Sequence, residues 1–279
     1  MGQNIRLIDV TLRDAHQCLW ATRMTTAMMR DIAPLLDKAG FEAIDLVGGA
    51  VFDVCVRYLH EDPWERMRIL NSWVRETPLI IHTRGQSLFT FEFFADDVVK
   101  LAAERFSANG MTYHTIYDAL NDVRNLDIPI RAAREHGIYT VPGLVYTVSP
   151  VHTDKYYVRK AKELLQIGMD ALFIKDPSGL LTPERIATLV PALKSAIGDM
   201  PLQLHTHCLS GLGPYAALQS VEHGIDTVHT ATSTLANAAS HPPTELFVRN
   251  CRRRGHQVDV DLKVIADVAE RLQYIAKKE

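Results

Sequence analysis

The sequence contains few cysteines, and none of them is paired at the spacing of a metal or redox motif. Cys18, Cys55, Cys208 and Cys251 are spread over 279 residues without any CxxC. The sequence therefore gives no sign of a zinc knuckle or a thioredoxin-type redox centre. Reduced thiols are the usual state in the cytosol, so we expect a cytoplasmic protein.

Long apolar runs and an excess of positive charge are also missing. No run reaches the roughly 18 apolar residues that a membrane span needs, and the N-terminus lacks the apolar segment of a signal peptide. The 30 Lys and Arg residues against 33 Asp and Glu residues give a formal net charge of −3. A domain that binds nucleic acid normally carries a basic face. We therefore expect no membrane and no nucleic acid among the partners.

A dinucleotide-binding loop is absent too, because no GxGxxG follows the first predicted strand. Instead, one pattern recurs: an amphipathic helical stretch ends in glycine or another breaker, and a short apolar run follows. Glycine in the left-handed conformation commonly ends a helix, and a short, wholly apolar run is typical of a parallel strand buried on both faces. The residues that end these helices are Gly40, Gly110, Gly137, Gly168, Met200 and Gly224.

Two more apolar runs, at residues 5–10 and 78–83, bring the number of predicted strands to eight. Eight strand–helix units in about 230 residues favour a closed (β/α)₈ barrel, the TIM-barrel form of the α/β class, over an open doubly wound sheet. We expect residues 1–256 to form this catalytic domain and residues 257–279 to add a C-terminal helix.

Ionisable side chains gather at the carboxyl ends of the predicted strands, which is where such barrels have their active sites. His205 and His207 are one residue apart on the seventh strand, so both side chains point to the same face. Asp14 follows the first strand, close by in a closed barrel. Two imidazoles and a carboxylate on one face are typical of a metal site. The alternative is a hydrogen-bonded pair of histidines in a polar barrel mouth.

Lys175 ends the apolar run of the sixth predicted strand. An ammonium group next to a metal cation would be repelled, so a metal site favours a neutral or carbamylated lysine at this position. The alternative is a salt bridge with Asp176 or Asp14.

Two arginines, Arg13 and Arg84, follow the first and third predicted strands. A guanidinium offers a planar fork that matches a carboxylate, so two of them beside a metal suit a carboxylate substrate. The alternative for either arginine is an ion pair with Asp53 or Asp118.

Several segments match one family's motifs. IDVTLRDAHQCLWATRM and GGAVFDVCVRYLHEDPWERMR begin the first and second units, and RGQSLF, YTVSPVHTDKYYVRKAKELL, IKDPSGLLTP and HTHCLSG follow. They resemble the carboxyltransferase domain of pyruvate carboxylase, the oxaloacetate decarboxylase alpha subunit and the transcarboxylase 5S subunit, within the DRE-TIM metallolyase superfamily. The resemblance covers nearly the whole chain. It favours the carboxyltransferase branch over the aldol and Claisen relatives, in which RDGxQ is the usual opening.

The resemblance implies a divalent metal, Zn²⁺, Mn²⁺ or Co²⁺, that acts as a Lewis acid toward a 2-oxo acid of the pyruvate or oxaloacetate type. It also implies a carbamylated lysine as one of the metal ligands. The implied site residues are Asp14, Lys175, His205 and His207 for the metal, Arg13, Gln17, Gly49 and Arg84 for the 2-oxo acid and its enolate, and Asp53 and Asp226 as further catalytic acids.

Three departures from the family pattern concern biotin. Phe91 stands where the family has a tyrosine, and Ala239 stands where a threonine shuttles a proton to or from biotin. An alanine cannot carry a proton. The sequence also ends after one helix of the family's helical funnel domain, and it has no AMKM-type segment to accept biotin.

These departures favour a biotin-independent reaction through a metal-stabilised enolate, either decarboxylation or the cleavage or formation of a C–C bond in a 2-oxo acid. Three alternatives stay open. They are a biotin-dependent carboxyltransferase subunit that works with a biotin carrier protein, an aldolase- or Claisen-type enzyme, and a degenerate subunit without catalysis.

The resemblance also implies a homodimer, because members of the family are usually dimeric. Apolar residues on the predicted last helix would either form such a contact or cover the barrel. They are Leu262, Ile265, Val268, Leu272 and Ile275.

Overall fold

The computed structural model describes residues 2–278 and contains a closed barrel of eight parallel strands arranged in chain order. The first strand pairs with both the second and the eighth, which closes the barrel. This architecture confirms the predicted fold class. The strands are β1 (Arg6–Asp9), β2 (Ala43–Val47), β3 (Leu79–Thr83), β4 (Tyr113–Asp118), β5 (Tyr139–Val145), β6 (Leu172–Asp176), β7 (Leu202–Thr206) and β8 (Thr227–Thr230).

Helices follow the strands and cover the outside of the barrel. Within residues 2–278, no helix combines the length and the apolar character needed to cross a membrane. The helices are α1 (His16–Leu19), α2 (Thr26–Met29), α3 (Ala33–Leu36), α4 (Gly49–Val54), α5 (Pro63–Trp73), α6 (Asp96–Ala108), α7 (Arg124–Glu135), α8 (Asp154–Ile167), α9 (Pro183–Ile197), α10 (Gly213–Glu222), α11 (Thr244–Arg253) and α12 (Leu262–Lys278).

The helix ends show why the repeated pattern predicted the units correctly. The Thr153 hydroxyl accepts a hydrogen bond from the Tyr156 backbone N–H and so caps the start of α8. Gly168, with φ of 100°, ends the same helix, and glycine is the residue that adopts this conformation at little cost. The chain then turns directly into β6, whose five residues are all buried.

The last helix lies against the outside of the barrel. The side chains of Ile265, Val268 and Leu272 on α12 are fully buried and belong to the main hydrophobic core. The Asp261 backbone N–H donates to the Ala39 carbonyl, which ties the start of α12 to the chain just before β2. Of the two roles expected for this apolar face, the structure therefore supports covering the barrel and not an exposed dimer contact.

Strand register brings the polar residues to one mouth. Lys175 on β6 is the direct neighbour of His205 on β7. A five-residue π-helical turn, Thr11–Ala15, starts two residues after β1 and is buried throughout. This turn carries Arg13 and Asp14 over the same end of the barrel.

Candidate metal centre

Four buried donor residues converge at this mouth: Asp14, His205, His207 and His241, whose ligand atoms all lie within 4.8 Å of one another. The Oδ2 atom of Asp14 is 3.1 Å from His205 Nε2, 3.5 Å from His207 Nε2 and 3.1 Å from His241 Nε2. The structure thus brings together three of the predicted ligands. It adds His241, which the sequence did not single out.

Hydrogen bonds fix the proton position on two of these imidazoles. His207 Nδ1 donates to the Ala239 carbonyl at 2.8 Å, and His241 Nδ1 donates to the Thr206 carbonyl at 3.0 Å. A carbonyl only accepts, so Nδ1 bears the hydrogen, and Nε2 of a neutral ring presents a lone pair. In a neutral ring with this tautomer, Nε2 points a lone pair toward the Asp14 carboxylate.

Burial keeps the rings of His205 and His241 neutral. It lowers the pKa of His241 to about 4 and places that of His205 well below its usual value. Neutral lone pairs that face a carboxylate repel it unless a cation lies between them. Imidazole nitrogens with one carboxylate oxygen are donors that suit Zn²⁺ and Co²⁺, so these residues fit the predicted metal.

Arg13 holds the carboxylate of this cluster in place. Its Nε and Nη2 donate to Asp45 Oδ2 at 2.8 and 2.6 Å, and its Nη1 lies 3.2 Å from Asp14 Oδ1. Burial alone would raise the pKa of Asp14, but the Arg13 charge holds it well below its usual range. Asp14 is therefore ionised and available as a ligand. The alternative considered for Arg13 was an ion pair with Asp53 or Asp118; the structure shows ion pairs with Asp14 and Asp45 instead.

Two glycines allow both arginines to approach the mouth. A Cβ on Gly48 would lie 3.1 Å from Arg13 Cδ, and one on Gly49 would lie 2.1 Å from Arg84 Nη1. Arg84 Nη1 donates to the Phe89 carbonyl at 2.9 Å. Gly49 and Arg84 are thus neighbours, as the predicted 2-oxo acid pocket requires.

The Arg84 guanidinium also lies 4.5 Å from the centre of the Phe91 ring. The ring that replaces the family's tyrosine therefore packs against this arginine through its π face and offers no hydroxyl. Gln17 lies on α1, about one helical turn beyond Arg13 and Asp14, and is half-buried. Its position keeps it among the candidates for the pocket.

Lys175 is buried beside the cluster. Its Nζ lies 3.3 Å from His205 Nε2 and 4.7 Å from the centre of the Tyr117 ring. Burial lowers the pKa of Lys175 to about 8, although the nearby Asp14 charge opposes this shift. Asp176, one of the two partners in the alternative salt bridge, instead accepts from the Leu180 and Leu181 backbone and the Thr206 hydroxyl.

Two predicted acids lie away from the cluster. Asp53 is exposed on α4 and pairs at 2.7 Å with Arg57, four residues further along the chain in the π-helical turn Cys55–Leu59. Asp226 precedes β8, so it lies at the amino-terminal end of that strand, opposite to the mouth. There its carboxylate binds Lys194 at 3.0 Å and the Leu202 backbone N–H at 2.8 Å. The expectation that Asp226 is a pocket acid is therefore corrected.

Asp45 and His241 are the residues that sequence reasoning missed. Asp45 has a signal, because it is a charged residue inside the otherwise apolar strand β2, and a fully buried carboxylate needs a partner. His241 has a weaker signal. It lies in the loop after β8, in the segment that also contains Ala239 and in the part of a barrel unit that normally carries function.

Comparisons with known proteins show the family to which the chain belongs. The HMGL-like family model matches residues 114–272, more than half of the chain. A pyruvate carboxylase subunit of Methanocaldococcus jannaschii is 41% identical over 274 residues, which cover 98% of this chain and 48% of that protein. The 2-oxoglutarate carboxylase large subunit of Hydrogenobacter thermophilus is 35% identical over 277 residues, which cover 99% of this chain and 42% of that protein.

A solved structure is similar as well. It is the carboxyl transferase domain of Rhizobium etli pyruvate carboxylase with pyruvate and biocytin, at a TM-score of 0.92 and 30% sequence identity. The match covers 98% of this chain and 47% of that chain. The chain spans about half the length of the curated relatives it matches.

Proposed function

This chain belongs to the HMGL-like family, and on that basis we propose that its barrel is the carboxyltransferase component of a biotin-dependent carboxylase. The barrel would move a carboxyl group between a 2-oxo acid and biotin held on a carrier domain or carrier protein. Relatives named as carboxylases of pyruvate and of 2-oxoglutarate, and a similar structure with pyruvate and biocytin, support this function. We therefore place it above the biotin-independent reaction that the sequence departures favoured.

The observation that carries the proposal is the position of two arginines at the mouth of the barrel, Arg13 next to Asp14 and Arg84 near enough for its charge to act on Lys175. Arg13 fixes Asp14 from the buried side. Arg84 is half-buried, and among residues 2–278 no hydrogen bond engages its Nη2. That open part of the fork matches the carboxylate of a 2-oxo acid.

A divalent cation held by Asp14, His205 and His207 would polarise the 2-oxo group as a Lewis acid. Lys175, if carbamylated as the resemblance implies, would add a further oxygen donor. The residues of the chain orient the acid: Arg84 binds its carboxylate and so places the 2-oxo group toward the cluster. This arrangement favours the charge that develops on the oxygen as an enolate forms.

One observation favours a second candidate function. Ala239 is half-buried at the edge of the cluster, and its carbonyl is used by His207. Its methyl group cannot carry a proton to or from biotin. Decarboxylation of an oxaloacetate-type acid without biotin needs no proton carrier at this position. An assay therefore has to distinguish this reaction from biotin-dependent carboxyl transfer.

Release of pyruvate from oxaloacetate separates the two functions. The purified, metal-replete protein is assayed with and without free biotin, and with and without a chelator. We expect biotin to increase the rate and the chelator to abolish it. An equal rate without biotin would support the second candidate. No pyruvate under any condition would contradict both and leave a subunit without catalysis.

The pocket itself is tested by Arg84→Ala and by Gly49→Ala, whose new Cβ would displace the Arg84 guanidinium. We expect each variant to raise KM for the 2-oxo acid by about tenfold or more, because one charge-assisted hydrogen bond is lost, while bound metal stays unchanged. Arg57→Ala is the control, since Arg57 is exposed and pairs with the equally exposed Asp53. Equal KM values in all three variants would rule out Arg84 as the carboxylate anchor.

A further inference from the structure

We propose that His241 is a metal ligand, so that the protein donors are one carboxylate oxygen of Asp14 and the Nε2 atoms of His205, His207 and His241. The inference deepens the metal site of the proposed function and rests on it. None of the motifs that carry the family resemblance contains His241, and the ligands implied by that resemblance did not include it.

The His241 ring lies among the other donors of the cluster. His241 Nε2 lies 3.1 Å from Asp14 Oδ2, the same distance as His205 Nε2 from that oxygen. The centre of the His241 ring is 4.5 Å from that of His205 and 4.2 Å from that of His207. Its side chain is fully buried. His241 is thus as close to the shared carboxylate as His205 on β7, and closer than His207, which directly follows β7.

The His241 ring is also oriented as a metal ligand would be. A histidine that binds a metal through one nitrogen usually donates its other N–H to a carbonyl or carboxylate, which fixes the tautomer. His241 Nδ1 donates to the Thr206 carbonyl, and His207 Nδ1 donates to the Ala239 carbonyl. The two histidines therefore share one arrangement, with Nδ1 bound to backbone and Nε2 free for a cation.

The loop that carries His241 is held in place by backbone hydrogen bonds. The Asn237 backbone N–H donates to the His241 carbonyl, and the Cys208 N–H donates to the Ser240 carbonyl. Asn237 and Ala238 both have positive φ, at 65° and 50°. Such conformations persist where the surroundings over-determine them. The loop is therefore fixed to the end of β7 and holds its imidazole against the cluster.

The donor set has a consequence for metal choice. Three imidazoles and one carboxylate are softer than a set rich in oxygen, so they favour Zn²⁺ and Co²⁺ over Mn²⁺ and Mg²⁺. With His241 in place, the cluster has four protein donors before Lys175 is considered. Lys175 is then not needed to complete a four-coordinate site.

The test compares metal binding by the wild-type protein and by His241→Asn. The asparagine amide can still donate to the Thr206 carbonyl from near the Nδ1 position, but it has no group at the Nε2 position. We expect Zn²⁺ affinity, measured by chelator competition, to fall at least tenfold, and the visible absorption of the Co²⁺-loaded protein to change. His136→Asn, at an exposed histidine, is the matched control.

A second measurement does not depend on any variant. X-ray absorption of the Zn²⁺-loaded wild-type protein counts the imidazoles bound to the metal, and we expect three. Two imidazoles, or wild-type affinity in His241→Asn, would overturn the inference and leave His241 as a hydrogen-bond partner of Asp14. Failure of the wild-type protein to bind Zn²⁺ or Co²⁺ at all would overturn the metal site of the proposed function as well, so the two failures are distinguishable.

Discussion

At the mouth of the barrel, the buried guanidinium of Arg13 forms ion pairs with both Asp14 and Asp45. Asp45→Ala would remove the partner of two of its donors. Leaving a buried charge without its partner is costly, so we expect the free energy of unfolding to fall by about 3 kcal/mol. Urea unfolding measures this loss.

Asp53→Ala is the comparison for that experiment. Asp53 pairs with Arg57 at the surface, with half or more of both side chains exposed. Such pairs contribute at most about 1 kcal/mol. A loss for Asp45→Ala no larger than that for Asp53→Ala would show that Arg13 does not depend on Asp45.

A second residue makes stability depend on pH. Asp9 on β1 is fully buried, and burial raises its pKa to about 7, although hydrogen bonds from Thr11 oppose the shift. In the unfolded chain a carboxyl group has a pKa near 4. The folded state therefore binds the proton more tightly, so Asp9 stabilises the fold below about pH 4 and loses that contribution as pH rises to about 7.

Asp9→Asn isolates this effect, since an amide keeps the shape without the charge. We expect the free energy of unfolding of the wild type, minus that of Asp9→Asn, to fall between about pH 4 and pH 7, by up to about 1.4 kcal/mol per pH unit. Denaturant unfolding at a series of pH values gives the slope. Parallel curves for the two proteins would mean that Asp9 is not protonated in the fold.

At the scale of residues, the sequence was enough to identify side chains whose orientation is set by the local backbone geometry. His205 and His207 share a face because side chains alternate along a strand. Asp45 and His241 were missed because their roles depend on contacts across the barrel, from β2 to the first turn and from the last loop to β7. Asp226 was assigned to the pocket only through the family resemblance, and the structure places it at the opposite end of the barrel, bound to Lys194 and the Leu202 backbone.

At the scale of elements, the strands were predicted because two signals agree at each of them. A glycine or other helix breaker stands before most of them, and a short apolar run marks the buried strand itself. The first unit departs from this pattern. Its turn, Thr11–Ala15, and the short helices α2 and α3 lack a regular apolar repeat over enough residues to be predicted. The π-helical turn matters for function because it carries Arg13 and Asp14.

The C-terminal helix α12 is an element whose role can be measured. Leu272 is fully buried against the barrel, so Leu272→Ala removes apolar contacts and leaves a cavity. We expect a loss of about 3 kcal/mol in the free energy of unfolding, with no change in oligomeric state by size-exclusion chromatography. Tyr274→Ala on the exposed side of α12 is the control. Dissociation of an oligomer on Leu272→Ala would show that this face forms an intersubunit contact.

At the scale of the whole molecule, one cation would link parts of the chain that are far apart in sequence. Asp14 follows β1, His205 and His207 end β7, and His241 follows β8. These are three neighbouring positions around the closed barrel, since β8 pairs with β1. A ligand that binds only the folded state stabilises it in proportion to the logarithm of its concentration over Kd. A metal bound at the mouth would therefore contribute to the stability of the closed barrel as well as to the chemistry proposed there.

Thermal unfolding of tag-free protein measures this contribution. At a free Zn²⁺ concentration of about 100 times Kd, the gain is about 2.7 kcal/mol, which corresponds to a rise in Tm of roughly 5 °C or more for a chain of this size. We expect dialysis against a chelator to remove the rise and added Zn²⁺ to restore it. Asp14→Asn lacks the carboxylate that all three imidazoles face, so its Tm should not respond to Zn²⁺. An equal rise in the Tm of Asp14→Asn would show that the stabilising Zn²⁺ binds elsewhere on the protein and not at the mouth of the barrel.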